Sequence, residues 1–266
     1  MIETTEAIVL KSLKYGDTSK IVTLYTKSFG KTTVIAKGAR GKTSKFGSAL
    51  EPMSYIAAVF YRKENRDIQL LSQADLIEVH RSLNDDEKKL SVGLCIIEFL
   101  HASIHDQEQH EEVFNLTKNA LSALNASPQS EINFLVWYLI HLISLHGFEF
   151  DFSRCVNCHK DLASGFENDH PLRFNMDKGT LFCQTCAEHF PYEQIPAEQV
   201  RIMQWFTAAA AGTVDSLAVH VPTGLRMVHL LHRFLQHHLN GMKRIYSLSM
   251  LESFFSPNES NKVRNK

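Results

Sequence analysis

Ala36-Lys37-Gly38-Ala39-Arg40-Gly41-Lys42-Thr43 admits two readings that belong to different folds. With alanine in the first glycine position it satisfies a relaxed phosphate-loop pattern, which requires a strand before it and a helix whose N-terminal amides cradle phosphates after it. The strand is present through Val34 and Ile35, but Ser44-Lys45-Phe46-Gly47-Ser48-Ala49-Leu50-Glu51-Pro52 is a poor helix former. No later apolar strand ends in the aspartate that would hold magnesium, and strands and helices do not alternate along the chain as that fold demands. The other reading is a basic, flexible arm. Lys37, Arg40, Lys42 and Lys45 lie within nine residues, separated by glycine and small side chains that let a backbone come close to a sugar-phosphate strand. Ion pairing of several such residues with phosphates gives salt-sensitive binding with little base preference.

Outward from this arm the first 80 residues read as strands. Ala7 to Leu13, Ile21 to Thr26, Thr32 to Lys37, Tyr55 to Tyr61 and Ile68 to Leu76 are rich in β-branched and aromatic residues. Tyr15-Gly16-Asp17, Phe29-Gly30-Lys31 and Lys63-Glu64-Asn65-Arg66 punctuate them as turns. Five short strands in about 75 residues suit a small barrel, with a hairpin bend at Ser28-Phe29-Gly30-Lys31. From Asn84 the period becomes helical. Asn84 and Asp85 are placed to cap a helix carrying Leu90, Leu94, Ile97 and Leu100, and Phe114, Leu116, Ala120, Leu121 and Leu124 mark a second. Ile132 to His146 is apolar almost all round, as befits a buried helix ended by Gly147. Pro196 opens a helix through Ala211 and Pro222 another through Leu239, since proline in a first turn forfeits no hydrogen bond. The polar tail beyond Pro257 is expected to be disordered.

Composition narrows the partners. The chain has 266 residues and a formal net charge of −1, enough length for two modest cores. Residues 1 to 66 hold twelve Lys or Arg against five Asp or Glu, a surplus of seven that the remaining residues reverse. A basic front of this kind suits a polyanion. Lys11, Lys14, Lys20, Lys27 and Lys31 extend the basic surface, and Tyr15, Tyr25, Phe29, Phe46 and Tyr61 are aromatic faces available to unpaired bases. Most aromatics of a small barrel are core, which leaves Phe46, inside the arm, as the preferred stacking platform. The longest apolar stretch, Phe134 to Leu145, is short of the ~20 residues that span a bilayer, so no membrane segment is expected.

Four of five cysteines form the pairs Cys155-Val156-Asn157-Cys158 and Cys183-Gln184-Thr185-Cys186, the spacing of a tetrahedral four-thiolate zinc site. The interval between them accommodates a small β-ribbon or loop carrying Pro171, Asn175, Asp177 and Gly179. A closed sulfur shell leaves no position for water or substrate, so the expected metal is structural. The acidic start, Met1-Ile2-Glu3-Thr4-Thr5-Glu6, lacks the parts of a signal peptide, which points to a reducing cytoplasm and to metal over disulfides. His159, His170 and His189 lie near the knuckles as loop or surface residues. Cys95, within Leu94-Cys95-Ile96-Ile97, reads as core. His101 and His105 stand four apart with Ala102 where a zinc protease needs glutamate, and His229 and His232 have no carboxylate beside them. No nucleophile elbow, dinucleotide fingerprint or carboxylate pair is found, so an enzyme is not expected.

Lys14-Tyr15-Gly16-Asp17, Ile21-Val22-Thr23-Leu24, Phe29-Gly30-Lys31, Ala36-Lys37-Gly38-Ala39-Arg40, Leu50-Glu51-Pro52 and Gln73-Ala74-Asp75-Leu76 together resemble the front of the bacterial DNA repair protein RecO family, and the resemblance extends through the helices and knuckles. It implies an α+β chain of several domains. An N-terminal five-stranded OB-fold barrel (1–80) precedes an all-α helical domain (81–255) with an embedded zinc site at about 150–190, and a disordered tail (256–266) follows. It further implies binding of single- and double-stranded DNA, ATP-independent annealing of complementary strands, and cooperation with RecR in helping RecA displace single-strand-binding protein. The implied setting is the cytoplasm, at the nucleoid. Lys37 and Arg40 match the family's basic motif, while Lys42, Lys45, Lys11, Lys14 and Lys31 extend it by charge. Where relatives often continue with arginines, this chain has Gly41 and Thr43. The family also engages the acidic tail of single-strand-binding protein through its helical domain, where Arg226, Arg233, Lys243 and Arg244 are the basic candidates. The alternative from the residues alone is a zinc-stabilised OB module for RNA, because phosphate contacts do not distinguish the sugars.

Overall fold

The computed structural model describes residues 1–63, 65–106, 108–162 and 170–255. Five strands form the front of the chain: β1 (Ile2–Tyr15), β2 (Ser19–Thr26), β3 (Gly30–Ala36), β4 (Tyr55–Tyr61) and β5 (Ile68–Glu78). They close into a barrel in the order β1-β2-β3-β5-β4, antiparallel except where β3 meets β5. That is the OB arrangement. Closure depends on β1, whose register shifts between Val9 and Lys11, so that one long strand bends and pairs with β2 along its second half and β4 along its first. The alternation expected of half-buried strands sends Val9, Val22, Leu24, Val34, Ile56 and Phe60 inward. Gly30 sits at φ +62 in the β2–β3 turn, a left-handed conformation glycine adopts without strain.

Residues 37–54, between β3 and β4, are a succession of turns with no helix. No helix N-terminus therefore follows Lys42, and the phosphate-loop reading has no structure to support it. Nor is the segment a free arm, because Phe46, Ala49 and Leu50 are buried with the barrel core and Ala39 packs against it. The loop is seated on the barrel at two points.

By contacts the chain falls into two units, Met1–Ala126 with the segment beginning at Arg244, and Ser127–Lys243. The change of period at residue 80 thus lies inside the first unit. There the barrel is followed by α1 (Arg81–Asp85), α2 (Glu87–Ser103) and α3 (Glu111–Ala126), and α8 (Ser247–Phe255) returns to pack on α2. The α2 cap is Asp86, whose carboxylate accepts from the Lys88 and Lys89 amides; the expected caps Asn84 and Asp85 lie in α1. Glu98 receives the Tyr246 and Ser247 amides and the Ser247 hydroxyl, which fixes the start of α8. Tyr25 donates its hydroxyl to the His110 carbonyl, joining β2 to the entry of α3.

The second unit is built on α4 (Glu131–Leu145), buried almost all round as its sequence requires. The Asn133 amide donates to the Val214 and Leu217 carbonyls, and Trp137 Nε1 to Ala209. α6 (Ala197–Ala208) stops three residues short of the expected Ala211, where a 3-10 turn (Ala211–Ser216) takes over. α7 (Val221–His238) lies so close to α4 that a Cβ at Gly224 would stand 2.9 Å from two Ile132 carbons. A four-stranded sheet, β6 (Asp151–Cys155), β7 (Leu172–Asn175), β8 (Thr180–Phe182) and β9 (Glu193–Ile195), is ordered β6-β8-β7-β9. The short α5 (Gln184–Ala187) follows β8. The expected ribbon is β7–β8, whose turn is fixed by Asn175 accepting from the Lys178 amide and by Gly179 at φ +67. The tail 256–266 and Glu64 of the β4–β5 turn lie outside the described residues.

Candidate nucleic-acid interface and metal centre

The basic residues gather at one end of the barrel. In strand register Lys14 lies opposite Lys20, which lies opposite Ala36, so Lys37 leaves β3 beside the β1–β2 turn. Arg40 ties the loop there: its amide donates to the Thr18 carbonyl at 2.8 Å and its guanidinium to Gly16 at 3.1 Å. The Arg40 fork keeps further donors exposed. Lys45 lies over the ring of Phe46, 5.4 Å from the centroid. Lys14, Lys37, Arg40, Lys42 and Lys45 make no ion pair among the described residues. Their charge is available to an anion from outside.

Several of the basic and aromatic candidates are placed otherwise than their sequence suggests. Phe46 is only 4% exposed in the barrel core and offers no face to a base; the spacing of the basic motif hid that the loop folds back. Lys31 is engaged: its ammonium donates to the Ile104 carbonyl at 2.7 Å and pairs with Asp106, holding the end of α2. Lys20 pairs with Glu51 and Lys27 with Glu111. Tyr25 is core, whereas Tyr15 and Tyr61 stay exposed. Lys11 is exposed on β1 but lines a groove with Ile97, His101 and Tyr246, apart from the β1–β2 turn.

The four paired cysteines converge in the second unit. Cys155 ends β6, Cys158 lies in the turn that follows it, just before His159 at φ +58, Cys183 follows β8, and Cys186 sits in α5. Their four sulfurs lie within 4.8 Å of one another, and Cys158 Sγ is 3.7 Å from Cys183 Sγ. A tetrahedral four-thiolate shell with metal–sulfur bonds of about 2.3 Å has edges of about 3.8 Å, so the group can hold a metal ion. The shell's support is also in place. The Cys183 amide donates to Cys155 Sγ, the Cys186 amide to Cys183 Sγ, and the Asn157 side-chain amide to Cys186 Sγ at 3.3 Å. Asn157 was not singled out by sequence, though its place inside the first knuckle is the signal. Burial opposes a thiolate at Cys155, and the amides of Cys158, Cys183 and Asn157 outweigh it, lowering that thiol to about 6. At Cys186 the Asn157 amide favours the thiolate, while burial and three neighbouring sulfurs oppose it and raise the thiol to about 12. Four crowded thiols resist ionising together, and a bound dication removes that resistance. Cys95 is separate, packed in α2 with burial raising its thiol to about 12. Among the described residues no helix is long and apolar enough to cross a membrane.

A closed OB barrel with an unpaired basic loop, followed by helices and a four-cysteine metal-binding group, defines the class: a multidomain OB-fold protein. Comparison with known proteins narrows it. The family model for the recombination protein O N-terminal domain matches residues 1–80, and that for its C-terminal domain residues 84–244. A DNA repair protein RecO of Chloroherpeton thalassium is 30% identical over 245 residues, covering 91% of this chain and 95% of that protein. That of Chlorobium limicola is 27% identical over 260 residues, covering 96% and 100%, and one from a Thermoanaerobacter species is 35% identical over 156 residues, covering 59% and 62%. The chain belongs to the RecO family of DNA repair proteins.

Proposed function

We propose that this protein is a recombination mediator that binds single- and double-stranded DNA, anneals complementary strands without ATP and, with RecR, helps load RecA onto DNA coated by single-strand-binding protein. The observation that carries the DNA-binding part is the set of unpaired cations on the loop after β3, Lys37, Arg40, Lys42 and Lys45, with Lys14 beside it. Phosphate contacts are blind to sequence, so the protein lowers the repulsion between two strands and base pairing supplies the selection. No bond is made or broken by the protein, and no nucleotide is consumed. Lys31, held by Asp106 and the end of α2, serves the fold in this reading. RecR, RecA and the acidic tail of single-strand-binding protein are the partners the family implies; Arg226, Arg233, Lys243 and Arg244 are the cations of the later chain that suit an acidic tail. Arg233 already pairs with Glu193, which leaves it the weakest of these.

The metal is proposed to be zinc, structural in role. Four thiolates at the observed separations suit zinc and fill its shell, leaving no site for catalysis. The test of the main proposal is annealing of complementary oligonucleotides by the protein and by its Lys37→Glu, Arg40→Glu double variant. The account expects the variant to lose most of the acceleration; undiminished annealing would sink it. Competition between matched DNA and RNA strands separates this reading from an RNA-binding module.

A further inference from the structure

The four sulfurs of the metal-binding group are not equivalent. Cys155, Cys183 and Cys186 are buried, whereas Cys158 is exposed. Hydrogen-bond donors divide in the same way. Cys155 Sγ receives the backbone amides of Asn157, Cys158 and Cys183, and Cys183 Sγ receives that of Cys186. The knuckle curls the amides that follow its first cysteine back onto that sulfur, and leaves the second cysteine outside the curl. Cys186, a second cysteine, is served from the other knuckle by the Asn157 side-chain amide at 3.3 Å. Thr185 holds the matching place with respect to Cys158, and among the described residues it makes no such bond. Cys158 Sγ instead lies 3.7 Å from Cys183 Sγ.

Burial bars a reagent from a sulfur, and an amide donor stabilises the thiolate charge, which lowers its nucleophilicity. Cys158 has neither protection. Cysteine oxidation follows exposure and thiolate character, and it goes on to a disulfide where a second cysteine stands ready to resolve it. Cys183 is that neighbour. The ribbon that leads into Cys183 also holds the end of α7. His237 Nε2 is 2.8 Å from Asp177 Oδ1, His238 Nε2 is 3.0 Å from the Met176 carbonyl oxygen, and Arg233 pairs with Glu193 of β9. Beneath them the rings of Phe174 and Phe234 pack with centroids 6.3 Å apart. A change at the knuckles therefore reaches Arg233 and the two histidines of α7.

We propose that Cys158 is an oxidation site, attacked by hydroperoxides and resolved by Cys183, through which oxidant empties the metal centre and loosens the second unit. The inference rests on the structural-metal reading above. The Cys158 thiolate attacks one peroxide oxygen, the O–O bond breaks, and the other oxygen takes up a proton and leaves as water, so that Cys158 becomes a sulfenic acid. The Cys183 thiolate then attacks the Cys158 sulfur, forming the S–S bond and expelling the remaining oxygen, which leaves as water with a second proton. Two thiolates, one hydrogen peroxide and two protons give one disulfide and two waters; the sulfurs lose the two electrons that the peroxide gains. Cys155 and Cys186 alone then remain as thiolates of the four. Two thiolates cannot complete a tetrahedral sulfur shell, and the metal is lost. The ribbon loses its anchor and α7 its fixed seat, while the barrel and its basic loop, which belong to the other unit, keep their structure.

The test uses the full-length protein loaded with zinc and begins with its zinc content; a protein that takes up none refutes the metal reading and this proposal with it. With zinc held, limiting iodoacetamide followed by peptide mapping should label Cys158 at least about tenfold faster than the other four cysteines, with buried Cys95 as the internal control. Hydrogen peroxide should release zinc to a chromophoric chelator in step with the loss of two thiols and the appearance of a Cys158–Cys183 disulfide. Dithiothreitol with fresh zinc should restore the starting protein. The melting temperature of the second unit should fall on oxidation, with single-strand DNA affinity unchanged. Cys158→His keeps a ligand and removes the thiol, so its zinc should resist peroxide; where that variant binds zinc poorly, the parent's peptide map decides. Even labelling of the four paired cysteines, first labelling at another cysteine, a disulfide between another pair, or zinc retained after two thiols are lost overturns the proposal and leaves the metal reading intact.

Discussion

Phe46 lies in the middle of the basic loop, where sequence favours a stacking platform, yet its ring is buried against Leu50, Ala49 and the barrel core. The two roles make opposite predictions. Truncation to alanine removes a buried aromatic ring and leaves a cavity at the end of a small barrel, which costs about 3–5 kcal/mol. With a urea slope of about 2 kcal/mol per molar, the midpoint of the first unit falls by about 2 M. Because such a loss also frees the loop, the informative companion is Phe46→Leu. That change keeps the plug and removes only part of its volume, at about 1 kcal/mol. The pair is measured by urea denaturation followed through far-ultraviolet circular dichroism, with single-strand affinity by fluorescence anisotropy. Expected are a graded loss of stability, leucine less than alanine, and unchanged DNA affinity for Phe46→Leu. Unchanged stability with a clear loss of affinity in the leucine variant would refute the core assignment.

Neutralising Lys37, Arg40, Lys42 and Lys45 with glutamine should reduce the salt slope of single-strand binding by up to about 2.8, at about 0.7 per contact. A salt titration reads it directly. Replacing Cys158 with serine removes one of four sulfurs, so metal content by atomic absorption should fall and the second unit should melt at a lower temperature, with the barrel's transition unmoved. Glu98→Ala removes the carboxylate that receives two amides and a hydroxyl at α8, which should cost about 1–2 kcal/mol in urea denaturation of the first unit. Burial lowers the His141 pKa in the fold, although the Phe206 carbonyl acts the other way. The unfolded chain thus takes up the proton first, and stability present above about pH 6.5 is lost as pH falls through the folded value. Relative to His141→Phe, the parent should lose stability on acidification; a pH-independent difference would contradict this.

The barrel was legible because its strands are rich in β-branched and aromatic residues and punctuated by turn residues, and four of five expected strand segments fell within observed strands, with only Lys37 of the third beyond its end. The closure was not, since it depends on a bend in β1 that no residue type announces. Cysteine spacing located the metal-binding group because two knuckles encode their own geometry. The basic loop was legible in charge and illegible in conformation: Phe46 and Lys31 show that a motif's composition does not reveal which side chains fold inward. The helix at Ser247 escaped because its cap, Glu98, lies far away in sequence.

The most direct measurement is annealing of complementary oligonucleotides coated with single-strand-binding protein, at low and high salt and without ATP. A mediator working through phosphate contacts accelerates pairing at low salt and loses that acceleration at high salt. No acceleration at low salt, or acceleration that needs ATP, would contradict the account.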